Sequence, residues 1–188
     1  MTMPDRIMPS LVRRVRAFKL LRDERGVSAV EFALVLPIMV AMYLGLSEVS
    51  QAVAIDRKLS LTARALSDLA SQSPSSISNA DMTNILDAST AVMAPYSISP
   101  LHITVSAINI DADGKATVGW SDTRGGTARA VGSSVTVPSA LATPNSQLIF
   151  SEVSYGFTPA VGYTITGTLT MSDKIYMTPR VNKITRTS

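Results

Sequence analysis

Glu31 is a carboxylate inside an apolar run, Val27 to Leu46, in which Ser28 is the other clearly polar residue. A charge at the middle of a bilayer costs roughly 2.5 to 3.5 kcal/mol on insertion scales, so an ionisable side chain in such a run marks function before folding. The stretch reads R-G-V-S-A-V-E-F-A-L-V-L-P over residues 25–37. Either Glu31 snorkels to the headgroups, or a partner offsets its charge.

The other residues that could do chemistry are few. Cysteine is absent, which excludes disulfides, thiolate metal sites and cysteine nucleophiles. His102 is the single histidine, so neither a histidine triad nor a multi-histidine metal site can be built within one chain, and it reads as structural. Asp111-Ala112-Asp113-Gly114 opens like a calcium loop, but no bidentate glutamate follows at the required distance, and alternating residues flank it as in a hairpin. Gly125-Gly126 and Gly132 lack the strand-to-helix setting of a phosphate cradle. No catalytic, cofactor-binding or metal-ligating residue is assigned, and the chain is not expected to be an enzyme. Glu152, in the middle of a strand, is either solvated or a partner of Arg64 or Arg180.

The elements that position Glu31 begin with length. The chain has 188 residues, 46% hydrophobic and 16% charged, and its mean hydropathy is positive, as for a protein with a membrane segment. The twenty residues 27–46 form a helix that spans about 30 Å, the thickness of the hydrocarbon core. Pro37 removes one backbone hydrogen bond and crowds the carbonyl of Ala33, so the helix should kink there. The helical pattern continues through Val49, Ala52, Val53, Leu59, Thr62, Ala63, Leu66 and Leu69 or Ala70, and should stop near Ser71 to Pro74.

A short second helix is expected from about Asn79 to Ala94, capped by Ser78 or Asn79. The period then changes to two. Residues 101–110 and 115–121 read as a hairpin, 147–157 as a third strand and 162–177 as containing a fourth, with a possible turn or bulge around Ser172 to Lys174. Residues 122–146 read as a long surface loop. The fold class is α+β: a long N-terminal helix, a short second helix and a small, mostly antiparallel sheet. Trp120, Tyr155, Phe157 and Tyr163 are expected to pack against the long helix.

Charge gives the topology. Residues 1–26 hold seven Lys/Arg and three Asp/Glu, a net of +4, whereas the rest of the chain carries −1. Arg13, Arg14, Arg16, Lys19, Arg22 and Arg25 form a basic leader before the apolar run, which the positive-inside rule places in the cytoplasm. A nucleic-acid partner would require that charge on the folded part, so none is expected. The domain division is 1–26 leader, 27–46 transmembrane half-helix, 47–72 periplasmic half-helix and 73–188 periplasmic α+β domain.

A basic leader, a glycine, then an apolar helix with glutamate at its fifth position resembles the processing region of class III prepilins, and more closely the TadE-like minor pilins, or pseudopilins, of the tight-adherence (Flp) pilus. A-R-A-L-S-D-L-A-S at 63–71 resembles the family's polar half-helix, and L-I-F-S-E-V-S-Y-G-F-T-P at 148–159 its signature strand. Phe32 stands where major pilins of this class carry tyrosine, and the cysteine pair of some relatives is missing. The resemblance implies a pilin-like fold and cleavage by an inner-membrane aspartic prepilin peptidase between Gly26 and Val27. It also implies partnership with a second minor pilin, the major pilin and the secretion machinery. After such a cut the Val27 ammonium would lie one helical turn from Glu31, and the two could form an ion pair within one subunit or between neighbours.

A rival signal is Ala52-Val53-Ala54, an A-x-A sequence at which signal peptidase could release an exported binding domain, the helix then serving only as signal or anchor. The apolar run exceeds the usual h-region, and a signal peptide gives no reason for an early glutamate after a glycine.

Overall fold

A computed structural model of the chain describes residues 24–159 and 167–187. The leader cations Arg13, Arg14, Arg16, Lys19 and Arg22, and the expected core residue Tyr163, lie outside the described residues. The chain divides into two units, Met1–Leu46 and Ser47–Ser188. Helix α1, Glu24–Ser71, contributes to both.

In the first unit α1 carries the apolar run, and the helical assignment continues through Pro37. In the second unit it turns one face to a core. Ile55, Leu59, Ala63, Leu66 and Ala70, spaced by three and four, are buried. Val49 and Val53, counted in the stripe from sequence, are exposed instead, as is Leu69. The buried stripe runs through Ile55 and Ala70, and half-buried Ala52 marks its edge. Spacings of three and four fit two adjacent faces of one helix, and only the packing partner chooses between them. The helix ends with Ser71 Oγ donating to the Asp68 carbonyl at 2.9 Å and the Gln72 amide to the same carbonyl at 3.0 Å, ahead of Pro74.

Strand β1 (Ser76–Ile77) follows, then helix α2 (Asn79–Ala91). A capping box starts α2: Ser78 Oγ accepts from the Asp81 amide at 3.2 Å, and the Asp81 carboxylate accepts from the Ser78 amide at 3.1 Å. The helix is three residues shorter than the sequence pattern implied, with turns leading to Pro95.

Strands β2 (Leu101–Ile110), β3 (Ala116–Arg124), β4 (Ser146–Phe157) and β5 (Leu169–Met177) form an antiparallel sheet of order β3-β2-β4-β5. Strand β3 extends to Arg124, three residues beyond its expected end, because Ser121 and Thr123 bond to Ser106 and Thr104 across the ladder. Strand β5 runs without a break through Ser172 to Lys174, each paired with β4, so the expected turn does not form. A β-bulge lies at Gly119, between the pairs Ala107–Trp120 and Ile108–Val118. It flips the phase of β3, so Trp120 joins the helix-side core while Val118 and Ala116 join a second core on the other face. A Cβ at Gly119 would lie 2.5 Å from Asn109 Nδ2, so the Asn109 side chain, whose Oδ1 accepts from Gln147, would have to move to admit one.

The helix-side core combines α1 and α2 with Leu101, Ile103, Val105, Trp120, Ile149, Val153, Tyr155 and Phe157. Full burial of a side chain such as Leu59, Leu66 or Ile103 contributes about 1.5 to 3 kcal/mol. Residues 125–145 form the expected surface loop, mostly exposed and without helix or strand, but it is pinned to the sheet. Gly132, Ser133 and Val135 bond to the backbone of Ala116 and Val118, covering the outer edge of β3, and Val135 and Val137 pack on the second core. Strand β6 (Thr185–Arg186) pairs in parallel with β1, a two-residue contact that periodicity does not signal.

Candidate functional site

The site begins at Gly26. It lies inside α1, and a Cβ built on it would meet nothing within 4 Å. Neither packing nor a positive φ calls for glycine here, and glycine in a helix interior costs about 1 kcal/mol relative to alanine. The residue is therefore unexplained by the fold. Arg25 precedes it within the helix.

Val27 and Glu31 follow on α1, one turn apart and both exposed, with Val27 at 57%. Successive turns of a helix bring residues four apart onto one face, so a charge at each position can pair. From Val27 to Leu46 the large apolar side chains stand outward: Phe32, Leu34, Ile38, Met42, Tyr43 and Leu46 are each more than half exposed. Among the described residues, α1 is the helix long and apolar enough to cross a membrane, and none of its most apolar window is buried by the chain. An apolar surface of this length uncovered by its own fold needs lipid or other helices around it.

Glu48 stands at the start of the second unit and is 3% exposed, a buried carboxylate whose significance the sequence reading missed. Hydropathy gives no signal for it, since it cannot distinguish a solvated boundary charge from a buried one.

Glu152 pairs with neither Arg64 nor Arg180. Arg129 reaches it from the β3–β4 connection, Nε to Oε2 at 2.7 Å and Nη2 to Oε2 at 2.6 Å, and Lys174 Nζ lies 3.4 Å from Oε1. The reason is register: Glu152 points to the sheet face opposite α1, where Lys174 is its direct cross-strand neighbour. The Arg129 guanidinium also covers the Phe150 ring at 5.3 Å, and Phe150 stacks on Tyr176 at 4.3 Å. Burial raises the Tyr176 hydroxyl above its ordinary value, the Glu152 charge adds to the rise, and Arg129 opposes it. Arg180 instead lies near Asp68, at 3.8 Å.

The C-terminal segment is fastened by buried and half-buried polar groups. Trp120 Nε1 donates to the Ile184 carbonyl at 2.9 Å, and Arg186 forms a bidentate pair with Asp122, at 2.8 and 2.9 Å. The paired carboxylate raises the Arg186 guanidinium above its ordinary value.

His102 Nδ1 lies against the Gly125 carbonyl on an exposed strand end. Asp111 Oδ1 accepts from the amides of Asp113 (3.0 Å) and Lys115 (2.8 Å), closing the hairpin with Gly114 at φ +80°. Among the described residues no group of three potential metal ligands is brought together. Trp120, Tyr155 and Phe157 are buried in the core that α1 shares, as expected.

Residues 26–67 match the family model described as TadE-like protein. The match starts at Gly26 and lies entirely within α1; residues 148–159, which resemble the family's strand, fall outside it. No curated protein and no solved structure matches the chain.

Proposed function

We propose that this chain, whose residues 26–67 match the TadE-like family model, is a component of a Tad/Flp pilus system and the precursor of a minor pilin or pseudopilin. An inner-membrane aspartic prepilin peptidase cuts it between Gly26 and Val27 on the cytoplasmic side. The mature helix 27–46 spans the membrane, and residues 47–72 and the α+β domain 73–188 face the periplasm. Its role is structural, in initiating, capping or supporting an adhesion pilus. It works beside a second minor pilin, the major pilin and the secretion machinery, with no cofactor and no nucleic acid.

The observation that carries this reading is the pairing of an unexplained glycine with an expensive carboxylate. Gly26 occupies helix that tolerates a side chain, and Glu31 sits in exposed apolar helix five residues on. A cut after Gly26 supplies both reasons at once. It creates an ammonium on Val27 that can compensate the Glu31 charge, and the new helix N-terminus favours a nearby carboxylate.

An exported binding domain released at Ala52-Val53-Ala54 is less well supported. That sequence lies inside α1, and half-buried Ala52 packs on the helix-side core. Mass spectrometry of the mature N-terminus tests the choice. A start at Val27 is expected; a start between Gln51 and Asp56, or an intact leader, would overturn the proposal.

A further inference from the structure

The bond between Gly26 and Val27 lies within α1, whose first described residue is Glu24. In a helix the carbonyl of Gly26 accepts from the amide of Val30, one turn on. Hydrolysis needs that carbonyl carbon open to attack. Water's oxygen adds to it, the bond to the Val27 nitrogen breaks, and Gly26 leaves as a carboxylate while the Val27 nitrogen takes both protons of the water and departs as an ammonium. A carbonyl held by its own helix and flanked by the following turn is poorly placed for this step.

We propose that Gly26 is a positioning residue: it keeps the first turn of α1 easy to open, so the scissile bond can be presented in extended form. This rests on the cleavage reading above and explains how the same site is made available. Three observations converge on it. The bond is helical; a side chain at 26 would collide with nothing; and the backbone there needs no left-handed conformation. What distinguishes glycine from alanine at such a position is helix propensity, which biases the local equilibrium about fivefold toward the open turn. Val27, Ser28, Ala29 and Val30 then form the turn whose strength sets the rate of presentation.

The test uses the full-length precursor in liposomes containing prepilin peptidase, with leader removal followed on gels and the product N-terminus read by mass spectrometry. Gly26→Ala should slow cleavage about fivefold, and Ser28→Ala about twofold with Gly26 intact, following their helix propensities. Adding Ala29→Gly to Gly26→Ala should restore the rate to within about twofold of the unaltered precursor. If Ser28→Ala is cut at the original rate, or Ala29→Gly restores nothing, the peptidase reads Gly26 by steric fit alone and the helix-opening proposal fails. A product from the unaltered chain that does not begin at Val27 would instead overturn the cleavage reading itself.

Discussion

Gln147 holds both polar groups of the Ile184 backbone: its Oε1 accepts the Ile184 amide at 2.7 Å, and its Nε2 donates to the Ile184 carbonyl at 3.2 Å. Both residues are buried, so these bonds are shielded from water. Replacing Gln147 with Leu leaves the buried amide of Ile184 unpaired and should destabilise the domain by about 2 kcal/mol. Trp120, the only tryptophan of the chain, donates to the same carbonyl and reports the loss by fluorescence during thermal unfolding. An unchanged midpoint would show that the strap at 184–187 contributes little to the fold.

A bulky residue at position 26 tests the cleavage reading from the other side. A Cβ at 26 meets nothing within 4 Å, so Gly26→Phe should insert normally, and its ring beside the scissile bond, a steric block far larger than the propensity effect of Gly26→Ala, should leave it accumulating as uncut precursor. Immunoblotting of membranes separates the two forms by the mass of the leader. Normal processing of this variant would sink the peptidase assignment.

Glu31→Leu removes the carboxylate without burdening insertion, since leucine is favourable in a membrane helix. The variant should reach the membrane and be cut, yet support fewer pili. Counting surface pili by electron microscopy against the parent strain is the measurement. Wild-type piliation would remove the ion-pair argument.

Acid should loosen the start of α2. The Asp81 carboxyl is held below its ordinary range, first by the Ser78 hydroxyl and then by the Ser78 amide. A carboxylate whose folded pKa is lowered stabilises the folded state above its unfolded pKa, and the contribution fades as pH falls through the folded value. Ser78→Ala should cost about 1 kcal/mol near neutrality, the usual loss on removing a serine cap. It should also flatten this acid limb of stability, measured by thermal unfolding across the carboxylate range. An unchanged acid limb would show that the capping box does not control it.

Gly119→Ala places a methyl group where Asn109 Nδ2 would lie 2.5 Å away. The expected loss is about 1 to 3 kcal/mol, typical of overpacking. Adding Asn109→Ala should recover part of it, whereas equal stability of Gly119→Ala and the parent would mean the bulge shifts freely.

The long helix, its end before Pro74, the short helix and four strands were legible because periodicity and breakers act locally. Gly26, Val27 and Glu31 stand out for the same local reason, a charge in an apolar run being visible in one dimension. The partner of Glu152 was not, because Arg129 comes from a segment whose composition reads as loop, and only register brings it to the face opposite α1. The bulge at Gly119 was hidden because a one-residue phase change leaves both flanking patterns intact. The pairing of β1 with β6 joins two residues on each side across most of the domain sequence, too short for propensity to register. The exposure of Val53 shows the same limit, since its partner surface decides which of two apolar stripes is covered.

The strap has a mechanical meaning. Chain leaving α1 enters Ser76 and Ile77, where Thr185 and Thr187 bond to the carbonyls of Ser75 and Ile77, and Arg186 ties that clasp to Asp122 on the sheet. Tension drawn along α1 therefore meets a fastened joint within six residues of the helix end, before it reaches α2. A pull along α1 passes to the sheet through the helix-side core and, past Ser71, through this clasp.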